Sequence, residues 1–287
     1  MGTCRRAALA IVAMAGLVAS TVGTSTAGAQ SQEPGRAQAA NLEMYQATVD
    51  TEQYQQLVAD GHDIASVEHT VEGVVVQLVL APQERNRLRR DGIELEVVRN
   101  EAGLTATQAA AEQKRRGYKV WRPWDGPGGL DNQIRAVADE HPDIAELHTL
   151  GQTHQGRDIL AVRVTADVGD VPPGDRPAVL YQGTAHAREW ISTEVTRRLM
   201  LHFLEGAAND PEVKEILATT ELWFVPVVNP DGYQHTFDVE RLWRKNLRDN
   251  NGNGVIDGSD GVDLNRNFPE HWNYDEEGSS SQFASDT

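Results

Sequence analysis

His186 and Glu189 lie three residues apart in the segment TAHAREWIST, which spans residues 184–193. An imidazole nitrogen and a carboxylate oxygen are both ordinary zinc ligands, and a catalytic zinc uses three protein groups and a water molecule. The pair could therefore form half of a metal site. An ordinary helix start is the alternative, because a glutamate in the first turn stabilises a helix without any metal.

The same H-x-x-E spacing occurs twice more, in His69 with Glu72 and in His202 with Glu205. The spacing alone therefore does not identify a metal site. The first of these pairs falls in a predicted hairpin turn, and the second lies near the end of a predicted helix whose apolar residues face a core. We expect both to be structural pairs without a ligand.

The position of His186 in the chain distinguishes it from the other two histidines. It follows the apolar segment AVLYQ at residues 178–182 and a Gly-Thr-Ala turn, and it precedes a helix predicted over residues 191–205. This is the carboxyl end of a predicted strand, where open α/β sheets place their ligands. The context favours a metal-binding role for this pair.

Strands and helices alternate in the region that contains this segment, and the alternation predicts an α/β sheet. The predicted helices cover residues 130–140 and 191–205, and the strands cover 145–150, 159–164, 178–182 and 222–228. The last two strands are so apolar that we expect them to be buried.

An earlier group of elements has the order β-α-β-β-α-β, typical of a small α+β unit of the ferredoxin-like type. These elements are predicted at residues 45–49, 51–59, 64–67, 74–80, 82–90 and 93–98. We expect Thr51 to cap the first helix and Pro82 to begin the second.

Residues 101–117 are rich in Ala, Gln, Lys and Arg, and they predict a helical or loose connector between the two groups. The cluster Lys114, Arg115 and Arg116 is predicted to be an exposed site for a protease. A solvated helix end is the alternative for this cluster.

The first 29 residues have the features of an export signal. Arg5 and Arg6 precede an apolar run that is too short to span a bilayer, and residues 27–29 have a small-x-small cleavage pattern. Cys4 is the only cysteine and lies in this segment, so the mature chain of about 258 residues has neither disulfides nor a thiol nucleophile. We expect a secreted, extracellular protein.

The formal net charge of the chain is −17, and removal of Arg5 and Arg6 with the signal makes it −19. A strongly acidic balance disfavours nucleic acid and anionic membranes as partners. It leaves room for cation binding. We expect a soluble monomer that has no membrane contact once the signal is removed.

Several further segments accompany TAHAREWIST, which closely resembles the H-x-R-E-W-I segment of the zinc metallocarboxypeptidases of the carboxypeptidase A/B-like family. Other segments resemble the same family in the same order: LGQTHQGRDILAVRV (150–164), FVPVVNPDGY (224–233), RLWRKN (241–246) and VDLNRNF (262–268). The resemblance implies a mixed sheet flanked by helices. It divides the chain into a signal peptide (1–29), a pro-segment-like unit (30–100), a connector (101–117) and a catalytic domain (118–287).

The resemblance implies that His186 and Glu189 are two of the zinc ligands. Arg244 would be catalytic, since a fixed cation can stabilise the oxyanion that develops on the scissile carbonyl. The implied reaction is hydrolysis of the C-terminal peptide bond by a metal-activated water.

The resemblance also implies that peptide or protein C-termini are the substrate. Asn265 and Arg266 would bind the free carboxylate of the last residue, because a planar guanidinium can donate two parallel hydrogen bonds to a carboxylate. Arg188 would contact the substrate one subsite further out. Asn229 and Asp231 are expected to be structural residues of an N-P-D-G turn.

Three functional residues of the family have no matching position in this sequence: a third zinc-ligating histidine, a substrate-facing tyrosine and a glutamate that activates the water. In the family they follow a serine-rich segment, which here is GSSSQFASDT at residues 278–287. We therefore expect the chain as given to be incomplete and inactive. His235 and His271 are the nearest substitutes, and their spacing does not direct either one to the metal.

Residues 249–260, DNNGNGVIDGSD, match the pattern of a twelve-residue calcium loop. The predicted calcium ligands are Asp249, Asn251, Asn253, Asp257 and Asp260. Aspartate at the last position is weaker than the usual glutamate. An acidic, turn-rich insertion without calcium is the alternative.

Three hypotheses for the function follow. The first is a secreted zinc carboxypeptidase precursor. The second is a non-catalytic, truncated relative that binds C-terminal carboxylates, and the third is a calcium-binding secreted scaffold.

Overall fold

The structure is a computed structural model that describes residues 36–37 and 39–270. The predicted export signal lies outside the described residues, as do His271 and the serine-rich segment at 278–287. All described residues belong to one compact unit. None of its helices, within the ranges just given, has the length and apolar character that a bilayer crossing requires.

The described residues form ten strands and seven helices. The strands are β1 (Arg36–Ala37), β2 (Glu43–Val49), β3 (Ile64–Thr70), β4 (Gly73–Leu80), β5 (Glu96–Val97), β6 (Ala145–Gln152), β7 (Asp158–Val164), β8 (Ala178–Gln182), β9 (Glu221–Val225) and β10 (Val255–Ile256). The helices are α1 (Thr51–Ala59), α2 (Pro82–Arg90), α3 (Ala106–Arg116), α4 (Leu130–Glu140), α5 (Trp190–Gly206), α6 (Pro211–Thr219) and α7 (Pro230–Asp238).

Strands β2 to β5 form an antiparallel sheet with the order β3-β4-β2-β5, and α1 and α2 pack on it. We call these elements the amino-terminal unit (residues 43–97). The predicted element order β-α-β-β-α-β is observed, although the last strand has two residues instead of the predicted six. Ile93 and Leu95 are buried in the core without joining the sheet. The ferredoxin-like class and the pro-segment role stay predictions.

The cap of α1 differs from the prediction, which placed Thr51 there. Asp50 precedes the helix and accepts the amide of Gln53 at 2.8 Å, and the Gln53 side chain accepts the amide of Asp50. Asp50 has the extended backbone of an N-cap, and aspartate is a better cap than threonine. The predicted start at Pro82 for α2 is confirmed.

A second sheet has the order β6-β7-β9-β8, with β8 parallel to β9 and the other pairs antiparallel. Helices α4 and α5 pack against it, and α4 turns Leu130, Ile134 and Val137 into the core on one face. The predicted α/β fold with a mixed sheet and flanking helices is confirmed.

Strand β8 is present where it was predicted, but the expectation that it is buried is wrong. Val179 is 41% exposed and Leu180 is 60% exposed, whereas β9 is buried as predicted. The reason is its position, since β8 is an edge strand that pairs only with β9 in the described part of the chain. Ile191 and Val195 of the following helix are exposed as well.

Candidate active site

The loop between β8 and α5 carries the predicted metal ligands, and its backbone is fixed by side chains from both sides. Thr184 has a φ of +60°, which a β-branched residue rarely adopts. Its amide donates to the hydroxyl of Ser192 at 2.9 Å, and its hydroxyl contacts that of Thr193. Asn229 donates to the carbonyl of Ala185 at 3.3 Å, so the residue before His186 is also held.

Asn229, which donates to Ala185, lies at the start of a helix and not in a turn. The prediction of an N-P-D-G turn is corrected here, because Asn229 caps α7 by accepting the amide of Gly232 at 3.0 Å. The buried Asp231 accepts the hydroxyl of Thr153 at 2.8 Å and the guanidinium of Arg157 at 2.8 Å. Both residues have structural contacts.

His186 and Glu189 are in contact. Nδ1 of His186 lies 2.7 Å from Oε1 of Glu189, and Nε2 on the other side of the ring lies 3.4 Å from Oδ1 of Asp263. The second oxygen of Asp263 accepts Nε of Arg244 at 2.7 Å. The histidine ring therefore has a carboxylate near each nitrogen, with a hydrogen bond at Nδ1 and only an ion-pair contact at Nε2. Arg244 is joined to the same group of side chains through Asp263.

Asp263 was not identified from the sequence, where it is the acidic residue of VDLNRNF. Burial raises the pKa of its carboxyl, but His186 and Arg244 outweigh burial and hold that pKa well below its usual value. Burial lowers the pKa of His186, whereas the carboxylates of Asp263 and Glu189 raise it more, so the net pKa is raised. The contact with His186 lowers the pKa of Glu189. The three groups favour one another's charged forms.

Among the described residues, two predicted zinc ligands lie together, and no third is beside them. Nδ1 of His186 and Oε1 of Glu189 face each other, and a carboxylate at the other ring nitrogen is the usual support of a metal-binding histidine. Between residues 39 and 270, no group of three or more His, Cys, Asp or Glu side chains is arranged to hold a metal ion. The donors present therefore fit half of a catalytic zinc site, which needs three protein ligands.

Arg188, predicted to bind substrate, and Arg244, predicted to be catalytic, meet at a carboxylate that the sequence did not indicate. Asp63, between α1 and β3, contacts both terminal nitrogens of the buried Arg188, with Nη2 at 2.7 Å from Oδ1 and Nη1 close to Oδ2. Nη1 of Arg244 lies 3.8 Å from the same carboxylate. Asp63 has no sequence signal besides its place in a turn, so only the fold reveals this contact.

Asn265 and Arg266 follow Asp263 in the chain but lie outside the group formed by Asp63, Arg188 and Arg244. The amide of Asn265 donates to Oδ1 of Asp263 at 2.9 Å, and Arg266 donates to the carbonyl of Asn265 at 3.1 Å. Both side chains are exposed. Neither side chain contacts Arg188 or Arg244 within the part of the chain that is described.

The other H-x-x-E pairs lack the geometry of His186 and Glu189. His69 is exposed on β3 with its ring 6.0 Å from that of Tyr54, and His202 is exposed on α5 with its ring 5.5 Å from that of Phe203. As far as the described residues go, neither histidine contacts the glutamate three positions later. His235 is buried against Trp243, and its Nε2 has no hydrogen-bond partner there.

The predicted calcium loop is closed by its own hydrogen bonds. Asp249 accepts the amides of Gly252 and Gly254, each at 2.7 Å, and Asp260 accepts the amides of Asn250 and Asp257, each at 3.0 Å. These bonds shape the loop without identifying an ion, so calcium stays a prediction.

The fold and this group of side chains define an α/β protein with a paired histidine and glutamate at a strand end. A family model described as zinc carboxypeptidase matches residues 130–287, more than half of the chain. The chain belongs to the zinc carboxypeptidase family.

The comparisons with individual proteins agree with this assignment. Metallocarboxypeptidase A of Trichophyton tonsurans is 40% identical over 223 residues, which are 75% of this chain and 51% of that protein. A protein of Talaromyces marneffei named inactive metallocarboxypeptidase ecm14 is 36% identical over 140 residues, which are 48% of this chain and 23% of that protein. The chain spans about half the length of the curated relatives it matches, or less.

A solved structure shows the same fold. The crystal structure of carboxypeptidase A from Helicoverpa armigera matches with a TM-score of 0.59 and 24% identity. The match covers 81% of this chain and 58% of that one. At this level of identity the likeness concerns the fold alone.

Proposed function

We propose that the protein is a secreted, zinc-dependent carboxypeptidase precursor that removes the last residue of peptides or proteins. One observation carries the proposal. His186 and Glu189 face each other at 2.7 Å, with a carboxylate behind the histidine and a guanidinium beside that carboxylate. Zinc ligands, an orienting acid and an electrophilic cation have this arrangement in a metal-assisted hydrolase.

In this proposal His186 binds zinc through Nδ1 and Glu189 binds it through Oε1. Asp263 lies 3.4 Å from Nε2 and would support the ring orientation, while Nδ1 faces Glu189, the other proposed ligand. Bound zinc supplies Lewis acidity and lowers the pKa of water. A further histidine ligand and a glutamate base are needed for turnover, and the described residues place neither beside this pair.

The arginines give the proposed specificity for a chain end. Arg244 is fixed by Asp263 at 2.7 Å and would stabilise the negative charge that develops on the scissile carbonyl. Asn265 and Arg266 are exposed and would bind the terminal carboxylate. Arg188 would donate to the peptide one subsite further out.

The precursor state rests on Asp63. Its carboxylate lies between Arg188 and Arg244, where a carboxylate or carbonyl of the substrate would be recognised. A second contact lies just before this unit, because the buried Glu240 accepts the amide of Leu42 at 3.1 Å. We propose that the amino-terminal unit covers the substrate arginines.

Removal of this unit requires a cut in the connector. Helix α3 ends at Arg116, and the side chains of Arg115 and Arg116 are 74% and 77% exposed. Gly117 follows with a φ of +71°, which ends the helix. A protease that prefers basic residues would therefore find an accessible bond at the end of this helix. The predicted extracellular location belongs to the same proposal.

A second candidate is a non-catalytic module that binds C-terminal carboxylates. Arg188 and Arg244 hold the carboxylate of Asp63 through guanidinium contacts alone. Carboxylate binding by these arginines therefore does not require a metal. This candidate predicts binding without hydrolysis.

An assay with two forms of one peptide separates the candidates. The natural full-length protein is incubated, before and after tryptic cleavage, with a peptide that has a free C-terminus and with its C-terminally amidated form. The enzyme releases the last residue of the free form only, after cleavage, and stops when zinc is chelated. Binding of the free peptide without release in the presence of zinc supports the non-catalytic module and contradicts the enzyme.

A further inference from the structure

A cavity of about 370 Å3 lies where the amino-terminal unit, α3 and the region after α3 meet. We call the residues that follow α3, from 118 to 270, the second-sheet region. Its volume falls within the roughly 300–1,000 Å3 of typical small-molecule sites. All three parts of the chain provide apolar wall: Met44 from β2, Ala109 from α3, and Trp121 and Trp190 from the region that follows. None of the proposed zinc or substrate residues lines it.

Arg241 lines this cavity without an acidic partner. Its Nη1 donates to the carbonyl of Arg188 at 2.9 Å, and its central carbon lies 3.8 Å from the centre of the Trp190 ring. Its Nε and Nη2 have no acceptor, and no carboxylate pairs with it, among residues 39–270. Arg241 is half-buried, and a charge removed from part of its water ordinarily has a counter-ion, because desolvation is costly. Arg241 therefore has donors available for an anion.

The charges around the cavity also favour an anionic ligand. Burial lowers the pKa of Arg241 to about 10, and the positive charge of Arg188 contributes to the lowering. Tyr118 and Tyr233 oppose the shift without supplying a carboxylate. Arg99 lines the cavity from the amino-terminal side. The wall thus carries two arginines, Arg241 and Arg99, and is apolar over most of the rest.

We propose that this cavity binds a small organic acid whose carboxylate pairs with Arg241 and whose apolar body lies against Trp190 and Ala109. A guanidinium can donate two parallel bonds to a carboxylate, and the free donors of Arg241 meet that requirement. The apolar wall excludes a bare inorganic anion as the preferred ligand, because such an ion would leave Met44 and Trp121 in contact with water.

The ligand has a consequence for the whole chain, since its site is shared by the amino-terminal unit, α3 and the second-sheet region. A molecule that binds only when these parts are together stabilises that arrangement by mass action. The organic acid would therefore hold the amino-terminal unit in place and protect the connector. This inference does not depend on zinc or on hydrolysis.

Thermal unfolding and calorimetry of the uncleaved chain test the proposal with three probes. Octanoate and N-acetylleucine have the predicted chemistry, and octanol has the apolar body without the charge. The proposal expects a saturable rise in melting temperature with at least one of the acids and none with octanol. A response to octanoate alone identifies an acyl-chain acid, and a response to N-acetylleucine alone identifies the end of an acylated peptide. No response to either acid, or an equal response to octanol, overturns the proposal.

Two variants locate the binding. Arg241→Gln removes the charge and is expected to weaken binding of the acid at least about tenfold, because charge-assisted hydrogen bonds are the stronger ones. Ala109→Met keeps the charge, fills the cavity and should abolish binding even if Arg241→Gln folds poorly. Arg90→Gln, which removes an exposed arginine outside the cavity, is the control. Unchanged binding in Ala109→Met contradicts the assignment.

Discussion

The two carboxylate oxygens of Asp63 face the two terminal nitrogens of Arg188, although 125 residues separate the two in the chain. The same carboxylate lies 3.8 Å from Nη1 of Arg244. An acidic residue of the amino-terminal unit therefore contacts both the arginine proposed to bind substrate and the arginine proposed to be catalytic. Any ligand that uses these arginines must first displace it.

Asp63→Asn is expected to raise the affinity for a peptide with a free C-terminal carboxylate by about tenfold or more. The amide cannot replace the charge-assisted bonds to Arg188, which contribute about 1.5–3 kcal/mol. Isothermal titration with the uncleaved chain measures the change. Glu68→Gln on β3 is the control, since it removes an exposed acid without touching either arginine. Equal affinities of Asp63→Asn and the wild type would contradict the competition.

Cleavage in the connector is expected to depend on its basic cluster. Brief digestion with trypsin should cut after Arg115 or Arg116 first, because both side chains are largely exposed at the end of α3. Replacing Lys114, Arg115 and Arg116 with glutamine should delay the first cut by about tenfold or more. Mass spectrometry of the fragments identifies the bond. Arg90→Gln at the end of α2 is the matched control, and an unchanged first cut in the triple variant would refute the site.

His235 is expected to make the fold sensitive to acid. Burial lowers its pKa from 6.5 to about 4, so the unfolded chain takes up a proton well before the folded one does as pH falls. Stability is therefore fully present above pH 6.5 and declines as pH falls toward 4. The loss approaches about 3 kcal/mol, since one pKa unit corresponds to about 1.4 kcal/mol.

Denaturant unfolding of His235→Phe at several pH values tests this. Phenylalanine keeps a ring against Trp243 and removes the titrating group, so the variant should lose less stability than the wild type over the same pH range. His202→Gln, at an exposed position on α5, should follow the wild type. Parallel curves for His235→Phe and the wild type would show that another group controls the acid response.

Calcium is expected to raise the melting temperature if the loop at residues 249–260 binds it. Asp249→Asn should remove the rise, because the first position of such a loop supplies a charged ligand. Asp175→Asn, at an exposed turn, should keep it. A melting temperature that does not respond to calcium in the wild type would establish the loop as a turn-rich insertion closed by its own hydrogen bonds.

Local sequence patterns predicted the elements well where a single signal dominated. The bounds of α2 and α4 are as expected, because Pro82 fixes one helix start and apolar residues recur at helical spacing in the other. The burial of β8 was predicted wrongly. Its composition is that of a covered strand, whereas exposure depends on which elements lie beside it, and the segment itself does not encode them.

The candidate site likewise contains residues that the sequence predicted and residues that it did not. The contact between His186 and Glu189 was predictable, since both residues lie in one short segment at a strand end. Asp263 and Asp63 were not, because each acts on a residue far away in the chain, and an acidic residue in a turn is common. The fold alone brings these two carboxylates to the histidine and to the arginines.

Zinc binding by His186 tests the proposed metal site most directly, and the chain contains its own control in His202. Zinc titration by calorimetry is carried out on the wild type, on His186→Gln and on His202→Gln. The last variant removes the histidine of another H-x-x-E match, at an exposed position. We predict that His186→Gln loses zinc binding and that His202→Gln keeps it. Equal zinc binding by all three proteins would contradict the assignment of His186 and Glu189 as zinc ligands.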